Sequence, residues 1–147
     1  MNARRRILGS LVVLVACPWG SAAATSSDAM RIVEGLVAGR PIRVGDLHIE
    51  LAPLVENGNS VSVRFRVTSP MTESDHVRAL HVVSEGNPLP QVIRAQFTPL
   101  SGRAEFTTRI RLAQSQRIWA VAECSDGSVL RASAETVVTL SACTDMI

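Results

Sequence analysis

Ser60-Val61-Ser62-Val63-Arg64-Phe65-Arg66-Val67-Thr68 alternates without a fault. Val61, Val63, Phe65 and Val67 fall on one side, and Ser62, Arg64, Arg66 and Thr68 on the other. That is the period of two of a β-strand with one buried and one wet face. The same pattern spreads in both directions. Upstream, residues 47–51 alternate ahead of Pro53, which limits them to an edge or a short strand. Asn57-Gly58 between the two runs predicts a tight turn with positive φ angles. Downstream, residues 77–84, 92–98, 104–112, 116–124 and 129–140 alternate in turn. Ser69-Pro70, Asn87-Pro88-Leu89-Pro90, residues 99–102 and Asp126-Gly127 separate them.

Strict alternation assigns faces. Val77, Ala79, His81 and Val83 share one side of their strand, with Arg78, Leu80 and Val82 on the other. Cys124 points with Ile118, Ala120 and Ala122, away from Trp119. About seven strands in roughly 95 residues, each with an apolar face to cover and a turn signal every 8 to 12 or so, predict an all-β domain. Its architecture is an immunoglobulin-like antiparallel sandwich of two sheets. Residues 28–37 differ, with Ile32, Val33, Leu36 and Val37 on one helical stripe and Gly39 and Pro41 beyond it. They predict a short N-terminal helix with Asp28 as its cap and a packing role.

Residues 1–24 read as an export signal rather than as part of the fold. Arg4-Arg5-Arg6 precedes an apolar run from Ile7 to Ala16 and a small-residue site at Ala22-Ala23-Ala24. The run is too short for a membrane span, which needs about 20 residues. The arginines also fit a twin-arginine signal. Leu14-Val15-Ala16-Cys17 offers a lesser alternative, lipid anchoring at Cys17. The layout expected is therefore a signal at 1–24, a helix and linker at 25–46, a sandwich at 47–140 and a C-terminal arm at 141–147, the whole outside the cytoplasm.

Composition removes several function classes. The chain of 147 residues has 15 basic and 13 acidic side chains and no lysine. With the three signal arginines removed it is near neutral, which argues against a nucleic-acid surface. His48, His76 and His81 stand at mismatched strand positions, and CxxC, HExxH and Gly-rich phosphate loops are missing, so no metal site, cofactor or catalytic constellation is expected. What remains is Cys143, in Ser141-Ala142-Cys143-Thr144-Asp145-Met146-Ile147. Three readings stay open for it: a leftover thiol, a covalent attachment point, or a disulfide to Cys124 that ties the arm back. A thiol is a strong nucleophile once ionised, and a terminal arm could present it to another protein.

The order of local motifs then points to a family. Glu56-Asn57-Gly58-Asn59-Ser60-Val61, Ser69-Pro70-Met71-Thr72-Glu73, Asn87-Pro88, Phe97-Thr98-Pro99, Arg109-Ile110-Arg111-Leu112-Ala113 and residues 120–128 together resemble the Y subunit of the sulfur-oxidation (Sox) carrier complex. The resemblance implies a non-catalytic periplasmic carrier with an immunoglobulin-like sandwich, no cofactor and no metal, paired with a Z-type carrier subunit. It implies that Cys143 holds the sulfur substrate covalently. Periplasmic Sox enzymes would couple thiosulfate to it through a haem, hydrolyse off sulfate and oxidise the remaining sulfur. The family's arm reads Gly-Gly-Cys-Gly-Gly. Here Ser141-Ala142 and Thr144-Asp145 replace the glycines, which restricts the backbone. They also set a negative charge where anionic sulfur must approach. The alternative is a diverged scaffold subunit that keeps the partner interface without carrying sulfur.

Overall fold

The computed structural model describes residues 26–45 and 47–142. The signal at 1–24, Cys17 and residues 143–147 lie outside the described residues. One helix, α1 (Ser26–Val37), precedes eight strands: β1 (Leu47–Leu51), β2 (Leu54–Asn57), β3 (Val61–Val67), β4 (Val77–Ser84), β5 (Gln91–Gln96), β6 (Ala104–Ile110), β7 (Gln116–Cys124) and β8 (Val129–Leu140). A 3-10 turn, Pro99–Ser101, joins β5 to β6.

The strands form the expected two-sheet sandwich. One sheet runs β1-β3-β6 and the other β2-β8-β7-β4-β5, antiparallel throughout except for β2 beside β8. The opening alternation does what its period demands. Val61, Val63, Phe65 and Val67 are buried between the sheets, in one core with Leu80, Val82, Ile118, Ala120 and Ala122 of the facing sheet. Phe65 stacks at a tilt on Phe106, its register partner on β6, with ring centroids 5.3 Å apart. Side chains Ser62 and Arg66 of the same strand face solvent.

The large sheet is covered on its second face as well, over part of its length. Ala29 and Val33 of α1 are fully buried against Val83, Val121 and Val129, with Ile32, Leu36, Val37 and Trp119 around them. Fully burying a side chain such as Val33 contributes about 1.5–3 kcal/mol. The two-sided cover explains why Ala120-Val121-Ala122 is buried without alternation. The helix ends at Gly39, whose φ of 70° a side chain would resist. Pro41 and Arg43 then hydrogen-bond to both sides of Val129.

Four expectations are corrected. The helix starts at Ser26, so Asp28 lies in its first turn and pairs with Arg31 instead of serving as the cap. There are eight strands because β2, hidden between Pro53 and Gly58, pairs in parallel with β8. In β4 a bulge between Val77 and Ala79 resets the alternation. Val77 therefore joins Leu80 and Val82 in the sandwich core, while Val83 faces the helix. Finally, Gly58 is not among the positive-φ residues, so Asn57-Gly58 is not the predicted turn.

Candidate attachment site at the root of the C-terminal arm

Gly58 does something else. Its N–H donates to the Leu140 carbonyl at 2.8 Å, and its own carbonyl accepts from the Leu112 N–H at 2.8 Å. The Leu112 carbonyl in turn accepts from the Ala142 N–H at 3.1 Å. Three segments far apart in sequence are thus laced together where β8 leaves the sheet. A Cβ on Gly58 would fall against the Leu112 carbonyl oxygen and 2.9 Å from the Ala142 nitrogen. The glycine is required by close approach, not by its φ angle.

Side chains brace the same junction. Asn87 donates to the Arg111 carbonyl at 2.8 Å and accepts from the Ala113 N–H at 3.0 Å, holding both sides of Leu112. Gln116 donates to the same Asn87 oxygen at 3.0 Å, and its own oxygen accepts from the Ser84 hydroxyl and the Gly86 N–H. Leu112 is fully buried beneath this network. On the other flank, Thr136 and Thr139 donate to the carbonyls of Ala52 and Glu56 at 2.7 and 3.0 Å, fastening β2 to β8. The Val138 N–H donates to the Ser115 hydroxyl at 2.9 Å.

The consequence is a fixed root. Ala142 is 6% exposed and its amide is bonded, so the chain is anchored to the sandwich up to that residue. Cys143, the expected attachment point, follows by one peptide bond and lies outside the described residues. Asn57-Gly58, Asn87 and the Arg109–Ala113 motif, which stand apart in the sequence, meet here. Sequence reasoning does not identify Gly58, Asn87, Ser115 or Gln116 as functional supports. An Asn-Gly pair reads first as a turn, and long-range backbone partners leave no local pattern.

Cys124 sits at the opposite end of the molecule. It closes the β7–β8 hairpin, its N–H donating to Ser128, and Glu123 pairs with Val129 at the start of β8. From Val129 the strand runs the length of the sheet before Ala142, about 40 Å at the rise of an extended chain. A disulfide requires Cα atoms within about 7 Å, so the tied-back arm is excluded within one chain. The Cys124 side chain is 3% exposed and packs in the sandwich core. Beside it, Arg43 binds Asp75 through both guanidinium nitrogens at 3.1 and 3.2 Å.

The histidines do not converge. His48 is exposed on the outer face of β1, and His76 Nδ1 is bonded to the Thr72 carbonyl at 2.9 Å. His81 is buried with Nε2 2.7 Å from Glu123, which Arg40 also binds at 2.9 Å. Burial works to raise the Glu123 pKa, but the hydrogen bonds from Arg40 and His81 outweigh it and hold the carboxyl below its usual range. Among the described residues no three His, Cys, Asp or Glu side chains gather as metal ligands would. A shallow groove with Arg64, Arg66, Arg103, Thr68 and Ser69 in its wall opens at the far end of β3 from Gly58, remote from the arm root.

The sequence profile of the family described as sulfur oxidation protein SoxY matches residues 34–143, about three quarters of the chain. The chain belongs to the SoxY family. The matched span takes in the last turn of α1, all eight strands and the arm root, and it ends on Cys143. Among solved structures, the sulfur carrier protein SoxY from Chlorobium limicola f thiosulfatophilum superposes with a TM-score of 0.63 at 21% identity. The alignment covers 79% of this chain and all of that one. A superoxide reductase (neelaredoxin) from Ignicoccus hospitalis gives 0.58 at 22% identity, over 64% of this chain and 80% of the other. A putative superoxide reductase from Thermotoga maritima gives 0.54 at 23% identity, over 63% and 84%. At these identities the likenesses establish the SoxY fold and no more. No curated protein sequence matches the chain at a significant level. No described helix is long and apolar enough to cross a membrane.

Proposed function

We propose that this SoxY-family chain is a non-catalytic periplasmic carrier that holds sulfur intermediates of thiosulfate oxidation covalently on Cys143. The observation that carries the reading is that the family match runs to Cys143, directly after a residue anchored by the Gly58–Leu112–Ala142 junction. A carrier needs a nucleophile at a fixed, accessible corner of a stable body. It needs no metal or acid–base constellation of its own.

Loading in this reading is an oxidation. The Cys143 thiol loses its proton, an S–S bond forms between its sulfur and the terminal sulfur of thiosulfate, and the two electrons released leave one at a time through the haem of a coupling enzyme. Water later releases sulfate from the adduct on a second enzyme, and a third oxidises the sulfur that remains. A Z-type sandwich subunit is the expected permanent partner. Residues 1–24 serve as the export signal.

The test is mass. Incubating the protein with thiosulfate and the coupling enzyme is expected to add a sulfonate-bearing sulfur to the peptide containing Cys143, and to leave a Cys143→Ser variant unchanged. Equal masses for the two would end the carrier reading. A scaffold subunit that keeps the partner surface without carrying sulfur is the second reading, favoured by Thr144 and Asp145 standing where the family has glycines. Co-purification with the Z-type partner, with no adduct under the loading conditions, would select it.

A further inference from the structure

The small sheet turns a charged face to solvent, and a concavity opens at its edge. Where Val67 pairs with Ala104 at the end of the β3–β6 ladder, a groove of about 260 Å³ is walled by Arg64, Arg66, Arg103, Thr68, Ser69 and Glu105. The period of two puts Arg64, Arg66 and Thr68 on the outer side together. Antiparallel pairing sets Glu105 directly opposite Arg66.

Glu105 does not satisfy this cluster. Arg64 donates to it at 3.1 Å, while Arg103 stands 3.6 Å away, too far for a good hydrogen bond. Arg66 has no hydrogen bond or ion pair among the described residues, and its register partner on β1 is His48 rather than an acid. Glu50 approaches Arg64 at 4.0 Å, from outside the groove. Three guanidiniums against one carboxylate leave the wall two positive charges in excess. The Thr68 hydroxyl has no partner among the described residues. Ser69 Oγ accepts from the Met71 N–H at 3.4 Å, which leaves its own proton to donate. Every polar side chain of the wall except Glu105 therefore offers a donor.

Such a wall suits an anion with two charges and several acceptor oxygens. A guanidinium presents paired N–H groups that match the oxygens of a tetrahedral oxyanion. A carboxylate would bring one charge only, and Glu105 already fills that role. We propose that the groove binds a tetrahedral divalent oxyanion, of the class of sulfate, thiosulfate and phosphate, between Arg66 and Arg103, with Thr68 and Ser69 donating from the end of the ladder. The site lies at the opposite end of β3 from Gly58, apart from the arm root. It stands whether or not Cys143 carries sulfur.

The experiment follows the backbone amide resonances of the isotope-labelled full chain at about pH 7.5. Sodium sulfate, thiosulfate or phosphate replaces sodium chloride at constant ionic strength, because exposed charges respond to salt alone. Saturable shifts centred on residues 66–69 and 103–105 are expected, and the anion that saturates at the lowest concentration identifies the ligand. Arg66→Gln and Arg103→Gln should each raise the apparent Kd about fivefold or more, the loss of a charge-assisted contact. Arg109→Gln removes the same charge four residues along β6 on the same face and should change it less than about twofold. All three side chains are exposed, so the variants keep the fold. Shifts that never saturate with any of the three anions, or that spread evenly over the sheet face, amount to general screening and overturn the site. An unchanged Kd in either Arg66→Gln or Arg103→Gln, or an equal loss in Arg109→Gln, overturns it too.

Discussion

The Ala142 amide donates to the Leu112 carbonyl at 3.1 Å, and that contact converts a strand end into an anchored root. It depends on Gly58, because a Cβ there would occupy the space between Leu112 and Ala142. Gly58→Ala is therefore expected to cost about 1–3 kcal/mol, the range for forcing an extra carbon into a packed site. Urea unfolding measures the loss. Hydrogen exchange of the Ala142 amide should quicken by more than the global change accounts for. Gly102→Ala is the control. Its φ is 71° with nothing within 4 Å of the added carbon, so its cost is the conformational one alone, about 1–2 kcal/mol. Exchange at Ala142 should then follow global stability.

Asn87 tests the bracket from the other side. It accepts from Ala113 and Gln116 and donates to the Arg111 carbonyl. Asn87→Ala removes the partner of two donors and one acceptor, and since these groups are exposed or only part-buried, where water can take over, the cost is about 0.5–1.5 kcal/mol. The expected outcome is a lowered urea midpoint with an unchanged m-value, since the sandwich itself is untouched. A larger effect on exchange at Leu112 and Ala142 than at β3 would locate the damage at the root.

How far the sequence discloses this architecture depends on the range of the interaction. β3 is legible because Val61, Val63, Phe65 and Val67 all meet the same core, and a period of two records that directly. β7 is legible for Ile118 and Ala120, and alternation sets even Trp119 on the opposite face, where it is found. β2 is not, because four residues after a proline carry too little pattern and its parallel partner β8 is the last strand of the chain. The β4 bulge is invisible for a related reason. Val77 and Val83 are both apolar, and only the pairing with Cys124 and Glu123 reveals that they face opposite ways. The role proposed for Cys143 rests on its residue type and on the family resemblance alone. The junction that anchors its neighbour is not legible, since Gly58, Leu112 and Ala142 are joined by backbone atoms that every residue possesses.

Phe65 measures how much of the fold rests on the facing sheets. It is fully buried, stacked on Phe106, and central to β3. Phe65→Ala is expected to lose about 3–5 kcal/mol, the transfer of the ring plus the cavity it leaves. Val33→Ala, in the separate cluster under α1, should cost less, since it deletes only two methyl groups. The two sites share no partner, and the double variant should show additive losses in urea unfolding.

Acid stability has a sign fixed by the carboxylates. Glu123 is held below its ordinary value of 4.5, and its contribution is therefore present above that pH and disappears as the pH falls through the depressed folded value. Asp75, Glu105 and Asp126 are also held low, chiefly by hydrogen bonds from Arg43, Arg64 and Ser128 respectively. Glu123→Gln should consequently lose about 1–3 kcal/mol near neutral pH, because His81 and Arg40 lose a charged partner. It should also lose less than the wild type does on acidification below about pH 4.5, where Glu123 is titrating. Urea midpoints from pH 7 down to pH 3 check both parts, with the two curves converging at the acid end.

The thiols should behave as two unrelated sites. Cys124 is buried in the sandwich core at the β7–β8 hairpin, and the length of β8 separates it from the arm root. Peptide mapping after alkylation of the native protein should therefore find Cys124 unmodified, and modified only when denaturant is present. Under non-reducing conditions no cross-linked peptide should join Cys124 to Cys143 within a monomer, since the geometry puts their backbones far beyond disulfide reach. Cys124→Ala should leave the alkylation rate of Cys143 unchanged while lowering stability by roughly 1–2 kcal/mol through the small cavity. A monomeric Cys124–Cys143 peptide would mean that β8 does not run to the Gly58–Leu112 junction in solution, and the anchored root would go with it.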